Sequence, residues 1–204
     1  MLANRYLKDI PSLTCDNGGG MRAVLNHLVA LGHRTIAYAA GPERSWSNNE
    51  RIQAFRDFAS AGATLELIEL GNFPPFFSGG VHAGDLAIAS GATAVVAYND
   101  IMALGLIDRL RQRGLSAPFD MSVTGFDNVA VSTFVWPNLT TLDLPRVQMG
   151  RMSVDTLLEV LADGESTVRR PIELPVELVV RQSSGVVGAS QGESAQGESA
   201  PAES

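Results

Sequence analysis

The sequence predicts an α/β protein, in which mostly parallel sheets are flanked by helices. Short apolar runs rich in Val, Ile and Tyr alternate along the chain with longer segments that repeat apolar residues every three or four positions. That alternation is typical of βα units, in which each helix covers one face of a parallel sheet. With 45% hydrophobic residues over 204 positions, the chain has enough apolar side chains to form a core.

The short apolar runs are the predicted strands. Their β-branched and aromatic residues favour an extended backbone. In chain order they are residues 12–15, 35–40, 64–70, 93–98, 121–126, 139–143 and 172–180.

Five longer segments are predicted to be helices. In the first of them, Met21, Leu25 and Leu28 fall on one face, as the helical repeat requires. Glycines directly follow these segments, among them Gly32, Gly62, Gly114 and Gly164, in the position where helices commonly end. In chain order the predicted helices are residues 21–31, 48–61, 79–90, 100–113 and 145–163.

The charge of the chain argues against direct DNA binding. The formal net charge is −7, Lys8 is the single lysine, and no basic run extends beyond Arg169 and Arg170. Neutralising DNA phosphates requires several Lys or Arg side chains on one surface. This chain is therefore not expected to hold DNA by itself.

Several other classes of protein are disfavoured by the sequence. The single cysteine, Cys15, excludes an internal disulfide and fits a reducing cytoplasm. The first residues lack the apolar core of a signal peptide, and no apolar run approaches the roughly 20 residues of a membrane helix. The sequence has no GxSxG, HExxH or CxxC motif and no metal-spaced set of His and Cys. We therefore expect a cytoplasmic protein that is not an enzyme and has no membrane contact, metal or cofactor.

Pairs of Asp and Asn follow three of the predicted strands. They are Asp16-Asn17, Asn99-Asp100 and Asp127-Asn128. In an open α/β sheet, ligands bind outside the carboxyl ends of the strands, where these pairs lie. The same residue types also cap helix N-termini, and one pair can serve both roles. Their mixture of acceptors and donors suits the hydroxyl groups of a sugar or nucleoside.

Two further residues are candidates for ligand contact. Arg51 lies near the start of a predicted helix, either as a solvated surface residue or as a planar set of donors directed at a ligand. Phe73 lies in the segment GNFPPFFSGG, where three phenylalanines share a Pro- and Gly-rich loop. They cannot all be ordinary core residues, so at least one is a candidate wall for stacking a ligand.

Six motifs occur in order over roughly residues 11–184. They are DNGGGMRAVLNHLVALGHRTIAYAAGP, RIQAF, AYNDIMALGL, PFDMSVTGFDN, WPNLTTLDLP and ELVVRQS. By these motifs the chain resembles the LacI/GalR family of transcriptional regulators.

The resemblance implies a two-lobed fold of the periplasmic-binding-protein type I, with an effector bound between the lobes. Position by position, it implies that Arg51, Asn99 and Asp127 contact the effector and that Phe73 is the stacking aromatic residue. The family often has Gln where this sequence has Leu144, so that polar contact is not expected here.

The resemblance also implies a division into lobes. The helix-turn-helix head, the hinge helix and several βα units of the first lobe, which family members carry before this region, are not in the sequence. Residues 34–142 and 171–182 are expected to form a nearly complete C-terminal lobe, and 1–33 and 143–170 a remnant of the N-terminal lobe. Residues 183–204 repeat QGESA and are expected to be a disordered tail.

The expected function is the effector-sensing and dimerisation region of a repressor. A sugar or nucleoside-like effector would control operator binding, which the missing head performs. The helix at 100–113 is expected to join a homodimer interface, with Leu104 and Leu106 as candidates, because its apolar residues span more than one face. The alternative is a solute-binding protein of a sugar transporter, which shares the fold. With so little of the first lobe, the helix at 145–163 is expected to expose its apolar face.

Overall fold

A computed structural model describes residues 2–3, 5–6, 10, 12–60, 65–163 and 171–188. Over these residues the helices are α1 (Asn17–Ala30), α2 (Trp46–Ser60), α3 (Phe77–Ala89), α4 (Asp100–Gln112) and α5 (Arg146–Asp163). The strands are β1 (Leu2–Ala3), β2 (Ser12–Cys15), β3 (Thr35–Ala40), β4 (Glu66–Asn72), β5 (Ala94–Ala97), β6 (Ser122–Thr124), β7 (Thr141–Asp143), β8 (Ile172–Leu174) and β9 (Glu177–Val179). The predicted α/β class is confirmed.

One predicted strand is divided in the structure. The segment 172–180 forms β8 and β9, which are separated at Pro175. Proline has no backbone N–H to donate to a sheet, so it interrupts a strand that the apolar pattern alone would continue. The two halves pair differently, because β8 lies parallel to β2 and β9 lies antiparallel to β7.

The largest sheet is parallel and has the strand order β4-β3-β5-β6. Because side chains alternate along a strand, Ile36 and Tyr38 of β3 face one side and Ala37 and Ala39 face the other. The first side packs against buried residues of α1 and α2, and the second against those of α3 and α4. The carboxyl ends of β3, β5 and β6 therefore meet at one edge between two helical layers.

A smaller parallel sheet has the order β1-β2-β8. Strand β2 leads directly into α1, whose Met21 and Leu25 lie in the same apolar cluster as Ile36 and Tyr38 of the larger sheet. Strand β8 pairs with β2, with Cys15 opposite Leu174. These contacts connect elements on both sides of the predicted lobe boundaries, and the division into lobes stays a prediction.

Helix α5 exposes apolar side chains, as the sequence predicts. Few other elements pack against it, because the adjoining sheet is small. Its exposed large apolar residues, with their exposed fractions, are Val147 (70%), Val154 (56%), Leu157 (46%), Leu158 (59%) and Leu161 (70%). Among the described helices none is long and apolar enough to cross a membrane.

The segment after β9 is packed against the larger sheet. Ser183 is fully buried, and its carbonyl oxygen accepts from the backbone N–H of Val123 at 2.7 Å. His33 fastens the same segment, since its ring nitrogens lie 2.9 Å from Thr93 Oγ1, 3.0 Å from Ser122 Oγ and 3.0 Å from the carbonyl oxygen of Gly185. Ordered chain thus continues past residue 183, where the disordered tail was predicted to begin. Residues 189–204 of that tail lie outside the described residues.

Candidate ligand-binding site

Arg51 is a buried residue of α2, with 3% of its surface exposed. Its Nε donates to Asn17 Oδ1 at 2.9 Å, and its Nη1 donates to the carbonyl oxygen of Tyr98 at 2.6 Å. Its Cζ lies 3.3 Å from the centre of the Phe126 ring. The interpretation of Arg51 as a solvated surface residue is therefore wrong. Helix α2 instead places the guanidinium group beneath the carboxyl ends of β5 and β6.

The charge of Arg51 is poorly compensated within the described structure. Burial lowers the pKa of Arg51, and the nearby Asp127 is among the groups that oppose this shift. None of the ion pairs found among the described residues includes Arg51. A buried charge normally has a close partner because its desolvation is costly, so this site favours an additional polar group.

Asp127 lies just after β6, in a strained turn. Its φ of 116° and the φ of 49° at Asn128 are in the left-handed region, which residues other than glycine seldom occupy. The backbone N–H of Asp127 donates to the carbonyl oxygen of Leu142 at 3.0 Å, which fixes the turn to β7. Burial raises the pKa of the Asp127 carboxyl group, and Arg51 opposes that shift. The structure thus brings Arg51 and Asp127 within electrostatic reach of each other.

Asn99 is next to this region, but its side chain already has partners. Its Oδ1 accepts from the backbone N–H of Met102 at 2.8 Å, which caps α4. Its Nδ2 donates to the carbonyl oxygen of Pro75 at 3.1 Å. The capping role is therefore realised, and the amide also connects α4 to the loop that carries Phe73.

Phe73 is half-buried at the start of that loop. Its backbone N–H donates to the carbonyl oxygen of Ala40 at 2.9 Å, and its side chain packs against the apolar cluster beneath α3 and α4. Phe76 at the end of the loop and Phe77 at the start of α3 are 64% and 45% exposed. The three phenylalanines thus divide between the edge of the core and the surface.

Asn17 belongs to one of the three Asp and Asn pairs, but the sequence did not single it out as an effector contact. It is buried at the start of α1, with its Oδ1 bound to Arg51 and its Nδ2 donating to the carbonyl oxygen of Cys15 at 3.0 Å. The neighbouring Asp16 caps α1 instead, accepting from the N–H of Gly19 at 2.6 Å. The sequence signal was the Asp-Asn pair, but the pair alone does not show which member turns inward.

Leu144 is half-buried against the apolar cluster beneath α1 and α2. Its side chain supplies no polar group. Across the described ranges, no group of His, Cys, Asp and Glu side chains is arranged to hold a metal ion.

The candidate interface residues of α4 differ in exposure. Leu106 is fully buried in the cluster between α4, α3 and the sheet, so it offers no surface to a partner, and the expectation for this residue is corrected. Leu104 is half-buried at the margin of the same cluster. The exposed large apolar residues at the starts of α3 and α4 and in the segment before β7 are Phe76, Phe77, Ile101, Phe134 and Trp136.

Comparison with known proteins identifies the family. Residues 25–184 match the periplasmic binding protein-like domain. The chain belongs to this family. It is 37% identical over 197 residues to the transcriptional repressor PurR of Vibrio cholerae, covering 86% of this chain and 57% of that protein. The chain spans about half the length of the curated relatives it matches.

Solved structures of LacI-family regulators have the same fold. A regulator from Enterococcus faecium with bound ribose aligns with a TM-score of 0.80 and 28% identity, over 90% of this chain and 68% of that one. The lac repressor dimer bound to operator and an anti-inducer aligns with a TM-score of 0.80 and 30% identity, over 90% of this chain and 65% of that one. The resemblance to the LacI/GalR family and the predicted periplasmic-binding-protein-like fold are confirmed.

Proposed function

We propose that this chain is the effector-binding and dimerisation region of a LacI-type transcriptional repressor. The effector is a small polyhydroxylated molecule, a sugar or nucleoside, bound at the edge of the sheet beside Arg51 and Asp127. One observation carries this proposal: the buried guanidinium group of Arg51 and the half-buried carboxyl group of Asp127 lie near each other without forming an ion pair.

The chemistry of the two side chains matches a hydroxylated ligand. Arg51 has five N–H donors, of which two are committed to Asn17 and Tyr98. Asp127 supplies an acceptor for the O–H groups of the same ligand. Both side chains lose hydration on burial, so a hydrogen bond from a ligand is stronger here than at the surface. Phe73 is proposed as the apolar wall and Asn99 as a third polar contact.

The relatives favour the same class of effector. The Enterococcus faecium regulator of the same fold holds ribose. The relatives are named as transcriptional regulators rather than enzymes, which supports a sensing role in the cytoplasm. A solute-binding protein of a transporter remains the alternative of the same fold.

Dimerisation is proposed through the face around Leu104. Ile101 lies one helical turn before Leu104 on α4, and Phe76 and Trp136 are also exposed. A monomer gains nothing from presenting such large apolar side chains to water. The lac repressor of the same fold is a dimer on its operator. Effector binding would change the cleft and reorient the two protomers, and the DNA contact itself would need the helix-turn-helix head.

A titration followed by NMR tests the proposal. The 204-residue chain is titrated with ribose, glucose, cellobiose and adenosine, and we expect millimolar binding to one of them, since one lobe supplies only part of the contacts. The largest chemical-shift changes should occur at Arg51, Tyr98 and Asp127. Arg51→Lys should abolish them, because a lysine cannot reproduce the planar donor set.

The matched control is Arg56→Lys. Arg56 lies on the same helix, is exposed, and pairs with Glu69 at 2.6 Å. Arg56→Lys should show the same chemical-shift changes as the parent chain when the four compounds are added. If all four compounds leave the spectrum unchanged, or if both arginine variants behave alike, the proposed effector site is wrong.

A further inference from the structure

Asp100 is a fully buried carboxylate beside the candidate site. It is the first residue of α4, but the helix is capped by Asn99, so the Asp100 carboxylate is free to reach other elements. Its Oδ2 accepts from the backbone N–H of Val129 at 2.8 Å, and its Oδ1 accepts from the hydroxyl group of Thr141. Both acceptor atoms are thus directed at the segments that flank the Asp127 turn.

Asp100 forms hydrogen bonds to the chain on both sides of the turn at Asp127 and Asn128. The backbone N–H of Asp100 donates to the carbonyl oxygen of Phe126 at 2.9 Å, just before the turn, and Val129 follows directly after it. Thr141 Oγ1 also accepts from the backbone N–H of Asn128 at 3.4 Å. Asp100 therefore holds the chain before and after the turn, and its partner Thr141 holds the chain within it.

The turn needs such external support because of its backbone conformation. Asp127 and Asn128 both have a positive φ, which costs free energy for residues with a Cβ and persists only where the surroundings impose it. Close packing adds to the constraint, because a Cβ on Gly125 would lie 2.3 Å from Asp100 Oδ1. Glycine at that position is what allows the carboxylate to approach.

We propose that Asp100 is the positioning residue of the effector site. It holds the Asp127–Asn128 turn so that the Asp127 carboxyl group is presented toward Arg51, and it does not contact the ligand itself. This inference rests on the proposed function. The simpler alternative is that Asp100 only stabilises the N-terminus of α4 through the helix dipole.

Amide hydrogen exchange tests the positioning role without a ligand. In Asp100→Ala, the Val129 amide should exchange at least about tenfold faster, because it loses its acceptor. The Val96 amide in β5 serves as the internal reference and should keep its protection. Asp108→Ala is the matched control, since Asp108 lies on the same helix and bonds only to Arg111 and Gln112 among the described residues. It should leave the Val129 amide unchanged.

A double-mutant cycle then tests whether Asp100 acts through Asp127. With the sugar or nucleoside that binds the parent chain, Asp100→Ala should weaken binding about tenfold, and it should add no further loss in an Asp127→Asn background. Asp100→Asn should recover most of the loss, because its amide can accept from Val129 and donate to Thr141. Equal losses in both backgrounds would show a merely structural role and overturn the proposal.

The other possible results distinguish failure of the proposed effector site from failure of the positioning role of Asp100. If no compound binds the parent chain, the proposed function fails, and the exchange experiment alone decides the role of Asp100. An unchanged Val129 amide in Asp100→Ala overturns the positioning role in either case. If Asp100→Ala does not fold, Thr141→Val removes the hydroxyl group that donates to Asp100 and accepts from the Asn128 amide. That amide should then exchange faster, and unchanged protection would again contradict the proposal.

Discussion

The buried carboxyl group of Asp100 predicts a specific dependence of stability on pH. Burial raises the pKa of Asp100 from 3.8 to about 6, against the opposing hydrogen bonds from Thr141 and Val129. An acid whose pKa is higher in the folded state stabilises the fold while it is protonated. This contribution is complete below pH 3.8 and is lost as the pH rises through about 6.

The size of the effect follows from the shift. A difference of about two pKa units corresponds to about 3 kcal/mol of unfolding free energy, at 1.36 kcal/mol for each unit. Other groups titrate in the same range, so the comparison is made against Asp100→Asn, which cannot titrate at this position. The free energy of unfolding of the parent chain minus that of the variant should fall by about 3 kcal/mol between pH 3 and pH 7.

Urea denaturation at several pH values measures this difference directly. Asp108→Asn is the control, because the pKa of Asp108 is lowered by its hydrogen bond to Arg111 and not raised. The unfolding free energy of the parent chain minus that of Asp108→Asn should rise with pH or stay constant. A difference for Asp100→Asn that is constant with pH, or that rises with it, would refute the account of this carboxyl group.

Three further predictions concern packing, the C-terminal segment and self-association. Gly105→Ala should destabilise the fold by about 3 kcal/mol in urea denaturation, because the new Cβ would lie 2.0 Å from a carbonyl oxygen of α3. Gly150 has open space around it, so Gly150→Ala should stabilise α5 by up to about 1 kcal/mol. Equal effects of the two substitutions would contradict the close approach of α3 and α4. Burial lowers the pKa of His33 from 6.5, so the stability that this neutral ring contributes should be lost as the pH falls below 6.5. In thermal denaturation, His33→Ala should remove this loss of stability at low pH. The control variant His82→Ala, at an exposed histidine, should still lose stability as the pH falls. Trp136→Ser, at a side chain that is 82% exposed, should weaken self-association in sedimentation, and an unchanged sedimentation profile would exclude this face as the interface.

The order of elements could be read from the sequence because each depends on local periodicity. The alternating short and long apolar runs predicted every α-helix and all strands longer than two residues, with one strand divided at Pro175. The positions of Arg51 and Asp127 at the carboxyl end of the sheet followed from the same pattern. The two-residue β1 has too little sequence to carry a pattern.

The direction of individual side chains could not be read in this way. The helix at 100–113 has apolar residues on several faces, and only the packing of α3 shows that Leu106 is buried. Each Asp-Asn pair likewise divides its roles according to its tertiary neighbours. Asn99 caps its helix while Asp100 turns inward, whereas in the first pair Asp16 caps and Asn17 binds Arg51.

The affinity of Asp127→Asn for the effector tests the central claim most directly. This substitution keeps the shape of the side chain and tolerates a positive φ, so the fold should survive while the charged acceptor is lost. Measured by NMR titration with the compound that binds the parent chain, the dissociation constant should rise at least about tenfold, with an unchanged melting temperature. Asp108→Asn should bind like the parent chain. An unchanged dissociation constant in Asp127→Asn would contradict the assignment of this carboxyl group to the effector site.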